Sequence, residues 1–532
     1  MKHFCLLLSA FCLFSCATAP KPMLDLKITN ARIVDGTGAP WFRGDVGVRG
    51  DTIVAVGDLA ASTAAATLDA HDRIVAPGFI DLLGQSQSSV LVDPHLEAKV
   101  RQGVTTEVTG EGHSPGPDTK WRTLGDYFAA LEKNGTALNF ALFVGASNPR
   151  EIVIGDINRP PTADEMRRME SIVDQAMRDG AIGLSTSLIY LPAMYSTTAE
   201  IINMAKVAAK YGGVYFSHIR DEGDHIDAAL DEAFRIGREA NIPINIWHLK
   251  IGGRANWGHM PHVVDRINAA RAEGIDVAAN AYPDIASSTS LSTLLPDWSL
   301  EGGYAAMKQR LLDPAQREKI ADALKHQVEK RGERGIYVGR VGNPALEQYD
   351  KKFIEQIAAE MNVTPEEALM RLFSETTQSP GVIFFSMSEP DVETALRQPW
   401  LSIGSDSGAP TPQARAMNVA AHPRAYGTFP RVVGHYVRDE HLFTLEEAVR
   451  KCTSQAADRA NLHDRGVLRP GMKADIVVFD ADKIRDVATY EDPHHFSEGV
   501  LDVIVNGAFV LRDGAMTNAL PGRVLRGAGW RR

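Results

Sequence analysis

The chain has 532 residues, of which 44% are hydrophobic, 23% charged and 7% aromatic. That is the make-up of a folded protein with a large core, and it excludes a disordered, collagen-like or disulfide-scaffold class. The formal charge is −11, with no long run of one sign and no basic face for nucleic acid, so that partner is not expected.

Three of the four cysteines, Cys5, Cys12 and Cys16, stand at the very N-terminus, and only Cys452 lies in the body. Neither a disulfide framework nor a cysteine zinc cage follows from that pattern. Lys2 and His3 precede the apolar run Leu6-Leu7-Leu8-Ser9-Ala10-Phe11-Cys12-Leu13-Phe14. The run is too short to span a bilayer but suits the hydrophobic region of a secretory signal. Leu13-Phe14-Ser15-Cys16 resembles a bacterial lipobox, which implies a lipidated Cys16, membrane attachment and a periplasm-facing protein of the cell envelope. Cleavage after Ala17-Thr18-Ala19 is the other reading and gives a soluble periplasmic or secreted chain. Residues 1–22 are thus expected to be leader and linker.

Residues 23–73 read as short strands at 26–28, 31–34, 45–48 and 52–56, punctuated by Gly and Asp turns. Residues 465–532 repeat that texture, with strands at 474–480 and 500–507. Two β-rich ends around a long middle predict one small β-sandwich domain built from both termini. The middle, 74–464, alternates apolar strands with amphipathic helices. Strands are expected at 74–81, 104–109, 139–144, 181–186, 214–218, 244–248, 277–282 and 401–406, with helices such as 163–178, 198–211 and 225–240 between them. Eight such units predict an α/β fold, a (β/α)8 TIM barrel. The stretch from about 285 to 400 is too long for a βα loop. Its Lys- and Glu-rich helical segments, 315–332 and 365–374, predict an inserted subdomain.

Catalytic groups of such barrels project from the C-terminal ends of the strands. Glu111 follows the second strand, His218 ends the fifth, His248 the sixth and Asp406 the eighth. Two histidines and a carboxylate suit zinc, because neutral imidazole and carboxylate oxygen both ligate it. His113, Glu222 and His225 lie nearby and are expected to face solvent or to support the ligands from behind.

At these residues the chain resembles the N-acyl-D-amino-acid deacylases (D-aminoacylases) of the amidohydrolase superfamily. The segments that carry the likeness include Ala76-Pro77-Gly78-Phe79-Ile80-Asp81, Gln102-Gly103-Val104-Thr105-Thr106 and Gly183-Leu184-Ser185-Thr186-Ser187-Leu188-Ile189-Tyr190. Tyr215-Phe216-Ser217-His218-Ile219-Arg220-Asp221-Glu222-Gly223, His422-Pro423-Arg424-Ala425-Tyr426-Gly427-Thr428-Phe429-Pro430 and Arg465-Gly466-Val467-Leu468-Arg469-Pro470-Gly471 continue it. The resemblance implies a metal-dependent hydrolase acting on an N-acyl amino acid or a related amide with a free carboxylate. Its departures are informative. Leu83 and Gln85 stand where most of the superfamily carries His-x-His, and Glu111 stands where the family has a cysteine ligand.

These departures imply one zinc per chain, not two, held by Glu111, His218, His248 and water. Asp406 is then the general base. By the same resemblance Arg424, Lys250, Tyr190 and Tyr282 receive the substrate's carboxylate, with His422 behind Arg424. A dipeptidase or other amidase of the superfamily, and a lipid-anchored non-catalytic binding protein, are the alternatives. No motif sets the acyl group, the stereochemistry or the oligomeric state.

Overall fold

The structure is a computed structural model that describes residues 23–531. Its centre is a closed ring of eight parallel strands: β1 (Phe79–Asp81), β2 (Val104–Thr109), β3 (Asn139–Leu142, extended by Val144–Gly145), β4 (Gly183–Ser187), β5 (Val214–His218), β6 (Ile244–Ile246), β7 (Val277–Ala281) and β8 (Leu401–Ile403). The ring closes where Asp406 donates its amide to the Leu83 carbonyl (2.8 Å) and Gly84 bridges Ser407. Every strand is buried along its length, as parallel strands covered on both faces must be. Ile80, Val108, Phe143, Phe216 and Trp247 plug the interior beneath the site, with Phe143 and Phe216 4.7 Å apart between ring centres.

The expected helices surround the ring. Ala163–Asp179 starts on a Thr162–Glu165 capping box and stops at Gly180 in the left-handed region, so both ends satisfy backbone groups the helix leaves open. Thr198–Ala209 and Ile226–Ala240 follow β4 and β5.

Strands from both ends of the chain form one nine-stranded sheet. Its order runs Ala515–Met516, Ala508–Arg512, Val500–Val505, Ile476–Phe479, Ile74–Pro77, Leu24–Ile33, Phe42–Arg49 and Thr52–Gly57. The sheet forks at Leu24–Ile33, which pairs Ala64–Asp69 through its first half and Ile74–Pro77 through its last two residues. Leu26, Ile28, Val46, Val75, Ile476 and Ile504 share its apolar core.

The expected β-sandwich is one continuous forked sheet, and strand limits differ from the sequence expectation in several places. The run 74–81 is not one strand: Ile74–Pro77 belongs to the terminal sheet and Phe79–Asp81 to the barrel. The break falls at Gly78, where a Cβ would stand 2.1 Å from the Thr105 side chain. Strands expected at 26–28 and 31–34 are a single strand that continues through an irregularity at Asn30, whose φ is 55°.

The insertion carries a four-stranded sheet besides its helices, in the order Ser287–Ser290, Gly381–Phe384, Ile336–Arg340 and Lys352–Phe353. Pro314–Arg331 and Pro365–Glu375 pack on it over a separate core that includes Ile320, Leu324, Val338, Leu369 and Phe373. No helix among the described residues is long and apolar enough to cross a membrane. The expected leader and Cys16 lie outside the described residues. Cys452 is a buried free thiol.

Candidate active site

The strand ends bring Glu111, His218 and His248 together. Glu111 Oε1 lies 3.0 Å from His218 Nδ1 and 3.0 Å from His248 Nε2, and the two nitrogens are 2.9 Å apart. Among the described residues this is the single group of three or more such side chains whose donor atoms converge closely enough to hold a metal ion. The edges of this triangle approach the roughly 3.4 Å that a tetrahedral ion with bonds of about 2.1 Å sets between its ligands.

The local fold explains the convergence. His248 has a φ of 36° and Asp406 a φ of 48°, so both chains leave the strand direction early and turn their side chains over the ring. That is why the strands expected to end at 248 and 406 end at Ile246 and Ile403. The His248 amide donates to Asn280 Oδ1 (3.0 Å). Gly404 leaves room for that carboxamide, since a Cβ there would lie 2.3 Å from Asn280 Nδ2.

The electrostatics favour positive charge at the triangle. Burial works against the Glu111 carboxylate, yet hydrogen bonds with His218 and His248 hold its pKa well below the usual range. Burial and Lys250 press His248 toward neutrality, but Glu222, Asp406 and Glu111 outweigh them and pull the imidazole up to about 9. A cation satisfies the same field. The donor set, its spacing and this field all fit zinc.

Asp406 faces the triangle. Its Oδ2 accepts from Arg424 Nη2 at 2.9 Å and its Oδ1 from Gln85 Nε2 at 2.8 Å. Burial raises the Asp406 pKa, and the attraction of Arg424 and His248 only partly offsets that. Above the group opens a cavity of about 970 Å³, the size of a pocket for a small organic ligand. Leu191 and Met194 line it from the loop after β4, and Leu295, Leu300 and Phe384 from the insertion.

A model of the amidohydrolase family matches residues 66–511. The chain belongs to the amidohydrolase family. It is 37% identical to a D-aminoacylase of Alcaligenes xylosoxydans xylosoxydans over 519 residues, 94% of this chain and 97% of that one. A solved N-acyl-D-glutamate deacylase from Bordetella bronchiseptica, complexed with zinc and a phosphonate mimic of the tetrahedral intermediate, is 33% identical. It covers 95% of this chain and 100% of its own with a TM-score of 0.81. A D-aminoacylase structure described by a binuclear metal centre, with one-metal activation and second-metal attenuation, is 36% identical. It aligns over 94% of this chain and all of its own at a TM-score of 0.80.

Within this amidohydrolase the other expected residues take distinct places. Arg424 is buried, its guanidinium lies 4.3 Å above the Tyr282 ring, and its Nε and Nη1 have no protein partner. The Tyr282 hydroxyl is likewise buried and unpartnered. Lys250 is committed to Glu222 Oε1 (2.6 Å) and His248 Nδ1 (2.7 Å). Tyr190 shares a 2.5 Å hydrogen bond with Thr289 of the insertion and packs edge-on against His218. His422 accepts from the Arg424 amide and faces the Ala286 carbonyl.

Of the three nearby groups, His113 is exposed beside Glu151 and His225 sits at the start of the helix Ile226–Ala240. Glu222 is the one that matters: its Oε1 lies 2.9 Å from His248 Nδ1 and its Oε2 3.8 Å from His218 Nε2. Glu222 therefore fixes His248 from behind, an arrangement that orients metal ligands. It stays beyond hydrogen-bond reach of His218 Nε2, which has no hydrogen-bond partner among the described residues. The sequence leaves Glu222 between facing solvent and supporting the ligands; the structure places it in support of His248.

Proposed function

We propose that this amidohydrolase removes the acyl group from N-acyl-D-amino acids, with a single zinc ion held by Glu111, His218 and His248 and with Asp406 as general base. The observation that carries the reading is the convergence of those three donor atoms, with Asp406 held by Arg424 and Gln85, on the lining of one cavity. When bound, zinc supplies a Lewis acid for the scissile carbonyl and lowers the pKa of water.

The chain's residues supply the rest. Asp406 takes a proton from the attacking water as the new C–O bond forms. A raised pKa suits a group that must accept that proton and keep it briefly. Collapse of the tetrahedral carbon breaks the C–N bond, and Asp406 passes its proton to the leaving nitrogen. Gln85 and Arg424 hold one carboxylate oxygen each, so the base cannot rotate away. Arg424 Nε and Nη1 and the Tyr282 hydroxyl, buried donors without protein acceptors, suit the substrate's free carboxylate, which a guanidinium recognises through paired hydrogen bonds. Lys250 keeps Glu222 ionised against burial, and Glu222 in turn aims His248. The cavity walls mix apolar side chains such as Leu191, Met194 and Leu295 with polar and charged ones such as Ser288, Arg220 and Lys330, so they set no preference for an apolar substrate group.

The test is a panel of N-acetyl-D- and N-acetyl-L-amino acids on purified, zinc-quantified protein, with the freed amine as readout. Release from D-substrates at least 100-fold faster than from their L-counterparts supports the reading. No release from any D-substrate, or equal rates for both series, contradicts it.

The leader supports a second part of the reading, an envelope lipoprotein anchored through Cys16 that meets D-residue-bearing cell-wall fragments. Labelled palmitate should enter the wild-type protein and not Cys16→Ala; an unlabelled wild type would remove the anchor.

A further inference from the structure

We infer that Gln85 is a built-in substitute for a second metal ion: its amide occupies the gap between Glu111 and Asp406 and keeps the centre mononuclear. Two carboxylates, each with its side chain only 10% exposed, face each other there, and Gln85 reaches them from the exposed rim of the site. Such a pair needs either a cation or hydrogen-bond donors between its members. Gln85 Nε2 lies 2.9 Å from Glu111 Oε2 and 2.8 Å from Asp406 Oδ1, so one N–H reaches each acid. The opposite amide orientation would set a carbonyl oxygen against two carboxylate oxygens, which fixes the assignment.

The surroundings hold Gln85 in that role. Its backbone N–H donates to the Ser407 carbonyl (3.1 Å) on the seam between the first and last barrel strands. Gly408 permits the close approach, since a Cβ there would stand 2.8 Å from the Gln85 carbonyl. Leu83, two residues earlier, is fully buried among the apolar side chains under the site and offers no ligand atom. Glu111 is thereby divided: Oε1 points at the two histidines and Oε2 is engaged by the amide. Asp406 is divided in the same way between Gln85 and Arg424. A neutral donor placed here does what a second cation would do for the two acids, without adding charge that would restrain Asp406 from taking a proton.

Gln85 is thus a positioning residue, and its role rests on the zinc assignment above. The test is calorimetric titration of metal-free protein with zinc, beside steady-state kinetics, for wild type, Gln85→Ala and Gln85→Glu. Wild type should show one binding event and no inhibition by excess zinc. Gln85→Ala should gain a second, weaker event, with kcat down about tenfold and KM within threefold, in the range for a residue supporting metal ligands. Gln85→Glu keeps the shape, adds a third carboxylate and should bind the second ion more tightly than Gln85→Ala. Variants that titrate and turn over as wild type does would overturn the role of Gln85 while leaving the hydrolase reading intact. A wild type that binds two ions would overturn that role and the single-zinc part of the reading, but not the hydrolysis. A wild type that binds no zinc would overturn the role and the hydrolase reading alike.

Discussion

Asp406 is where sequence, geometry and chemistry meet. It sits past the end of its strand at a φ of 48°, a conformation uncommon for a residue with a side chain, and the strain is met by a backbone bond to Leu83 and two side-chain bonds. Asp406→Asn keeps the shape and removes the base. It should bind zinc with unchanged stoichiometry while kcat falls about 10³-fold, within the range for general acid–base groups. Elemental analysis and initial rates check this; undiminished turnover would remove Asp406 from the base role. Glu111, His218, His248 and Asp406 were legible in the sequence as polar groups at the ends of apolar strands, and the structure brings the first three together. Glu222 was ambiguous, because its partners come from two different strands and no spacing within one segment reveals them. The reach of Gln85 to both acids was invisible for the same reason.

At the scale of elements, the sequence shows apolar periodicity well and backbone departures poorly. The eight barrel strands and the main helices lie where the apolar pattern puts them. The 74–81 run misled because both its halves are buried and apolar, so only the Pro77-Gly78 pair marks where one sheet gives way to the next. The insertion's first strand, Ser287–Ser290, was hidden because it is half-buried and carries no apolar side chain. Its partner is Gly381–Phe384, about ninety positions on. The turn after β7 carries another consequence. Asp284 is buried, with Oδ2 unpartnered, and burial outweighs Arg431 and Arg424 to raise its pKa to about 6. The folded state thus holds this proton more tightly than the unfolded chain, so the residue is neutral to stability below about pH 4. As pH rises from there to about 6 its cost grows to about 2 to 3 kcal/mol. Asp284→Asn should therefore stabilise the protein by about that amount at pH 8 and little at pH 4.5, measured by urea unfolding. An equal effect at both pH values would contradict the assignment.

For the whole molecule, the decisive feature is closure of the ring, because Gln85 and Asp406 meet only where β1 and β8 lie side by side. Lys99, fully buried, ties that seam: Nζ donates to Asp81 Oδ2 (2.6 Å), Ser405 Oγ (2.6 Å) and the Ser407 carbonyl (2.7 Å). Removing the ammonium leaves the Asp81 carboxylate buried and unpaired, so Lys99→Met should cost about 3 to 5 kcal/mol. Denaturant unfolding checks this, and a loss below about 1 kcal/mol would show that the seam is held elsewhere. The insertion completes the molecule from above. Its strand Ser287–Ser290 meets Tyr190 and Arg424, so the element least legible in the sequence walls the substrate's side of the site.

The proposed hydrolysis runs on one zinc ion per chain. Its most direct test adds zinc stepwise to metal-free protein and follows deacylation of an N-acetyl-D-amino acid. Activity should rise linearly to a plateau at one equivalent per chain and stay flat through the second. A plateau at two equivalents, or activity that ignores the metal, would contradict it.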